Sequence, residues 1–122
     1  TIEPGDEVIV PEPCFPTYIS AIDFFGGKAV SVPLKEENEF RLNPEDVEKA
    51  MSDKTRLIIM NSPNNPTGSV MKEEEMKRII GIASGDQWRI PRAEHLLFYR
   101  KINLNILNTG NTVTTVGNSI IV

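Results

Sequence analysis

Three short apolar runs constrain what this chain folds into. "EVIV" (7–10), "KAVSVPL" (28–34) and "RLIIMN" (56–61) are rich in β-branched residues and apolar through their centres. A strand with one face in water alternates apolar and polar residues, whereas one that is apolar throughout is covered on both faces. Each run is followed by a stretch with helical spacing, so residues 7–83 read strand, helix, strand, helix, strand, helix. That order predicts an α/β fold, part of a mostly parallel sheet flanked by helices, with right-handed crossovers.

The intervening stretches carry their own start and stop signals. Pro4-Gly5-Asp6 punctuates the chain before the first strand. After the proline-broken loop "PEPCF", Pro16 opens a helix with Tyr18, Ile19, Ile22 and Phe25 at helical spacing, and Gly26-Gly27 stops it. Asn43-Pro44-Glu45-Asp46 predicts a second helix start: an asparagine cap, proline in the first turn, then acids at the positive end of the dipole. Val47, Ala50 and Met51 give it an apolar face. The third helix, "KEEEMKRIIGIA", places Met76, Ile79, Ile80 and Ala83 together, with Lys72 to Glu75 as a solvated first turn.

After Ser84 the grammar changes. Residues 85–112 show no period, and asparagines interrupt them at 103, 105, 108 and 111. "TVTTVGNSIIV" reads as strand, turn, strand. The chain therefore divides at Ser84 into an α/β part, 1–84, and a divergent tail, 85–122, and compensating frameshifts across 85–98 are one way to produce such a junction.

Composition narrows the function classes. The 122 residues carry a net charge of −4 with no Lys/Arg cluster, which argues against a nucleic-acid partner. No apolar run approaches the roughly 18 residues of a membrane span, so no membrane partner is expected. The start, "TIEPGDEVIV", lacks the basic and apolar regions of a signal peptide and lacks an initiator methionine. One cysteine, Cys14, excludes an internal disulfide and a cysteine-built zinc site and fits a reducing, cytoplasmic setting. Cys14 itself reads as a small buried residue, and His95, Trp88, Arg89, Arg92 and Arg100 as structural or surface residues.

"NSPNNPTG" (61–68) holds the functional signal. It follows the third apolar run, at the strand end where open α/β sheets bind ligands. Pro66 biases Asn65 to an extended backbone and Gly68 permits a turn. A rigid loop of this kind holds the Asn65 amide out over the strand ends, where it offers donors and an acceptor to a small polar ligand. The same residues also make ordinary turns, and residue chemistry alone leaves both readings standing.

"PGDEVIVPEPCFPTY", "FRLNPEDVEKAMSDKTRLIIMNSPNNPTG" and "KEEEMKRII" together resemble, in order and spacing, the class I/II aminotransferases, the fold-type-I enzymes that use pyridoxal phosphate. The resemblance covers about two thirds of the chain and centres on "NNPTG". It implies that Asn65 hydrogen-bonds the phenolic oxygen of the cofactor ring and that Phe15 stacks on the ring face. It implies amino-group transfer between an amino acid and a 2-oxo acid, and a homodimer with active sites near its interface.

Pyridoxal chemistry also needs a lysine for the Schiff base and a carboxylate on the pyridine nitrogen. The resemblance aligns "HLLFYRKI" with the segment that supplies the carboxylate: Tyr99 takes the place of a second donor to the ring oxygen, and Leu96 stands where the aspartate belongs. It aligns "NTVTTVGNSI" with the strand before the lysine, with Ser119 at the serine and Ile120 at the lysine. The family's phosphate turn and substrate-binding arginine have no counterpart in these residues. The reading is thus an inactive fragment of an aminotransferase's cofactor domain. The alternatives are a non-catalytic scaffold or interaction remnant, and a fragment of a related lyase. A nucleotide-binding domain is set aside because no G-x-G-x-x-G or P-loop follows any strand.

Overall fold

The structure is a computed structural model that describes residues 2–84, 114–116 and 119–121. Its elements are β1 (Glu7–Glu12), α1 (Thr17–Phe24), β2 (Lys28–Pro33), α2 (Pro44–Ala50), β3 (Thr55–Asn61), α3 (Glu73–Ser84), β4 (Thr114–Val116) and β5 (Ser119–Ile121), with a 3-10 turn at Glu36–Asn38. They form one sheet in the order β2-β1-β3-β5-β4. β1 pairs in parallel with both β2 and β3, as the apolar runs predict. The two strands read in "TVTTVGNSIIV" are present and pair antiparallel, and β5 also pairs antiparallel with β3.

β1 is central, and the residues on its two faces enter two different cores. Val8 and Val10 pack with Ile59 of β3 and Ile22 of α1. Ile9 packs on the opposite face with Val32, Ile58 and Met60 of the neighbouring strands and with Val47, Met76, Ile79 and Ile80 of α2 and α3. The alternation of a strand's side chains assigns each residue to one face. Both faces of β1 are covered, which is why that strand carries no polar stripe, whereas β2 at the edge is exposed at Lys28, Ser31 and Pro33.

The strand order has a direct consequence. From β1 the chain crosses one way to reach β2, then back over β1 to reach β3. Two crossovers of one hand in opposite directions put their helices on opposite faces. α1 and α2 do lie on opposite faces. Between β1 and β3 the direction of winding reverses, and the loops leaving their carboxyl ends diverge there.

The helix ends follow their predicted chemistry, with adjustments. The Asn43 side chain accepts from Glu45 N at 2.9 Å, capping α2 with Pro44 in its first turn. α1 ends with Gly26 at φ +78°, a conformation that glycine adopts at no steric cost. Phe25 is not on the buried face: it lies just past the helix, 60% exposed and edge-to-face with Phe24. The first turn of α3 is less solvated than the sequence implies, because Glu75 binds Arg41 Nε at 3.0 Å and caps Lys72 N at 2.9 Å. Arg41 also pairs with Glu39, and these carboxylates, Glu75 foremost, raise its pKa further.

Two outcomes follow. Ile79, fully buried between α3 and the sheet, should cost about 2–5 kcal/mol when cut to alanine, against within about 0.5 kcal/mol for Phe24→Ala at an 84% exposed site, both read by urea unfolding. At the sheet's amino edge the Glu7 carboxylate accepts from Ser52 Oγ at 2.6 Å and Lys28 Nζ at 3.0 Å, and these bonds, the serine's first, lower its pKa. A depressed carboxylate pKa adds stability above its unfolded value that is lost as pH falls through the folded one. Glu7→Gln should therefore flatten the acid limb of the stability profile, and an unchanged limb in an acid titration would refute the assignment.

Candidate functional site

The reversal between β1 and β3 is where an open α/β sheet binds ligands, in the crevice outside the strands' carboxyl ends. Two loops flank it here. One, residues 13–16, leaves β1 and carries Phe15; the other, residues 62–72, leaves β3 and carries Asn65. Because β1 and β3 are parallel neighbours, both loops stand on the same edge of the sheet.

The second loop is wired from inside. Asn61, buried at the end of β3, accepts from Asn65 N through Oδ1 at 2.7 Å. Asn64 N donates to Ser69 O at 2.8 Å and Gly68 N to Asn64 O at 2.7 Å, closing a compact turn. Gly68 sits at φ +73°, where a side chain is strained even though open space surrounds it. The Asn64 amide donates to Thr67 Oγ1 at 2.9 Å, Thr67 Oγ1 to Ser69 Oγ at 3.0 Å, and Ser69 Oγ to Phe40 O at 2.6 Å. Ser62 Oγ accepts from Met71 N at 3.0 Å at the far end. The peptides before Pro13, Pro63 and Pro66 are cis.

This wiring turns inward and leaves the Asn65 side chain exposed, with no hydrogen-bond partner among the described residues. Phe15 is 44% exposed rather than buried in a core, and its ring meets Tyr18 edge-on at 6.0 Å between centroids. A bare amide and a half-exposed aromatic face on adjoining loops suit a planar, hydroxyl-bearing ring. Beneath the amide loop, Asn61, Asn64 and Ser69 join Leu34, Leu42 and Met71 around a cavity of about 10 Å³, too small for a ring.

Other candidates fall differently. Tyr99 and Leu96 lie outside the described residues, as do Trp88, His95 and the three tail arginines. Ser119 pairs with Asn61 and Ile120 with Met60, so the position aligned with the lysine is beside the end of β3 and holds isoleucine. The exposed amide and aromatic suit the ring of pyridoxal phosphate in their chemistry, and the isoleucine at 120 has no amine to attach it. Cys14 is half-buried, and burial, aided by Glu12, raises its thiol pKa. No group of three or more potential metal ligands occurs among the described residues, and no described helix is long and apolar enough to cross a membrane.

Sequence reasoning missed Asn61, Asn64, Thr67 and Ser69 as a connected set and Phe40 as their anchor. The doubled asparagine was the available signal: one amide faces out, so the other is free to hold the loop.

The family model for aminotransferase class I and II matches residues 1–90, well over half of the chain. The chain belongs to that family. Among its relatives, an aspartate aminotransferase of Pyrococcus abyssi is 46% identical over 82 residues, covering 67% of this chain and 21% of its own length. An aspartate/prephenate aminotransferase of Nitrosomonas europaea is 37% identical over 117 residues, 88% of this chain and 28% of its own. The aspartate aminotransferase from Thermus thermophilus with maleate matches in structure with a TM-score of 0.66 at 39% identity, over 67% of this chain and 22% of that one. The aromatic aminotransferase from Pyrococcus horikoshii gives 0.63 at 46%, over 65% and 21%. This chain thus spans about a fifth of the length of such relatives. The family uses pyridoxal phosphate, and the parallel three-strand unit with its helices matches part of the aminotransferase fold.

The turn chemistry of the amide loop is open to a direct check. Gly68→Ala should destabilise the chain by about 1–2 kcal/mol, and Gly68→Asn by less, since asparagine tolerates the left-handed region. Equal stability of the three chains in chemical denaturation would show that the loop relaxes.

Proposed function

We propose that these residues form the ring-holding portion of an aminotransferase cofactor site, and that the 122-residue chain does not itself catalyse transamination. The carrying observation is the pair of Asn65 and Phe15, exposed on adjoining loops at the reversal between β1 and β3 while the rest of the amide loop is bonded inward. In this reading the Asn65 amide donates to the ring's phenolic oxygen, Phe15 covers a ring face, and Tyr99 contributes a second donor. Pyridoxal phosphate, when bound, supplies the electron sink for amino-group transfer between an amino acid and a 2-oxo acid. The chain's own part is to orient the ring and keep water from one side of it. The family's homodimer and a cytoplasmic setting belong to the same proposal.

Inactivity rests on position 120. Isoleucine offers no amine there, and a step that requires a covalent bond to the protein is not replaced by binding. The tail from 85 onward is read as divergent sequence of the same domain. Support comes from the Nitrosomonas match, whose 88% coverage necessarily runs past Ser84.

The test is made on the purified chain. With pyridoxal phosphate, an amino acid and a 2-oxo acid it should show no turnover, and borohydride should fix no cofactor at any single lysine. An NMR titration with the cofactor should give weak, saturable shifts centred on the Asn65 amide and the Phe15 ring. A stoichiometric adduct at one lysine, found by peptide mass mapping, overturns the inactivity. Shifts that avoid both residues overturn the ring-holding reading.

A further inference from the structure

We infer that Asn64 is a positioning residue: it clamps the loop that carries Phe15 to the loop that carries Asn65, so that amide and aromatic are presented as one unit. The inference rests on the ring-holding reading for its significance, though not for its geometry.

Asn64 is 6% exposed, and its side chain contacts both loops. Its Nδ2 donates to Pro13 O, 51 residues away in sequence, at 3.3 Å, and to Thr67 Oγ1 within its own loop at 2.9 Å. The orientation of the amide is fixed by its neighbours. Phe40 O can only accept, which commits the Ser69 hydroxyl to donate to it and the Thr67 hydroxyl to donate to Ser69. Thr67 Oγ1 then accepts from Asn64, and Pro13, with no N–H, offers the amide only a carbonyl. Turning the amide over would bring oxygen against oxygen at Pro13. The remaining atom, Oδ1, is buried without a hydrogen-bond partner among the described residues, since both N–H groups are aimed at the clamp.

Pro13 is two residues before Phe15, and Asn65 directly follows Asn64. Breaking the clamp therefore frees Phe15 relative to Asn65 without touching either. A loose aromatic and a loose amide lose the shared geometry on which binding depends, because each must then be ordered by the ligand.

Cys14, the chain's single cysteine, lies between Pro13 and Phe15 and reports on the clamp. Its reaction with 4,4′-dithiodipyridine should speed up about five-fold in Asn64→Ala, the change expected for loss of one net hydrogen bond. Thr67→Val keeps the Asn64–Pro13 bond and should react close to the parent rate. Asn64→Asp keeps the volume and loses the N–H donors: it should react fast at neutral pH and approach the parent rate, measured at the same pH, once acid restores a proton to donate to Pro13. Asn64→Asp reacting like the parent at every pH overturns the clamp, as does Thr67→Val matching Asn64→Ala. Where a variant does not fold, side-chain amide exchange in the parent chain decides. Asn64 protons exchanging much more slowly than those of Asn65 support the clamp, and equal rates overturn it. None of these measurements involves cofactor, so the clamp can fail while the cofactor titration still centres on Asn65 and Phe15, or hold while that titration fails.

Discussion

Everything in this structure depends on β1 being buried on both faces and paired along both edges. Val8, Ile9 and Val10 are 0% exposed and feed two cores, and the strand carries β2 on one side and β3 on the other. A strand so enclosed has to be apolar at successive positions, and its neighbours have to be reached by crossovers in opposite directions. The divergence of the loops leaving β1 and β3 is a by-product of that winding. The candidate site is where it is because of the sheet, and the loops supply its residues.

How much of this was legible depends on how far apart the interacting residues are. The buried strands were readable because each core position is signalled within a few residues, as at Val8–Val10 or Ile58–Met60. The Asn43 cap was readable because its partner, Glu45, is two positions away. Local spacing carries no information about Arg41 meeting Glu75, 34 residues on, or Ser69 meeting Phe40, 29 residues back. Those pairs exist only after α3 has docked and the chain after β2 has turned through Glu39 and Phe40, both at positive φ. The strand order was equally hidden, since either edge of β1 satisfies the same pattern.

The candidate site divides the same way. Asn65 was named from the chemistry of its loop and Phe15 from motif resemblance, and their exposure on one sheet edge is a structural result. What keeps the loop's backbone fixed is a set of small hydroxyl and amide residues whose individual chemistry is unremarkable. Ser69, Thr67 and Asn64 form a directional relay only because a backbone carbonyl, Phe40 O, ends it. The family's motif is read outward for its ligand contact, yet most of its polar atoms face inward.

Among the described residues the sheet ends at β2. Along "KAVSVP" the outer backbone donors and acceptors face no further strand among the described residues, and only Lys28 and Pro33, at its two ends, discourage another strand from adding there. Such an edge is a template for a second chain. A charged residue in place of Ser31, midway along the strand, would make that edge a poorer template, on the far side of β1 from β3 and the Asn65 loop.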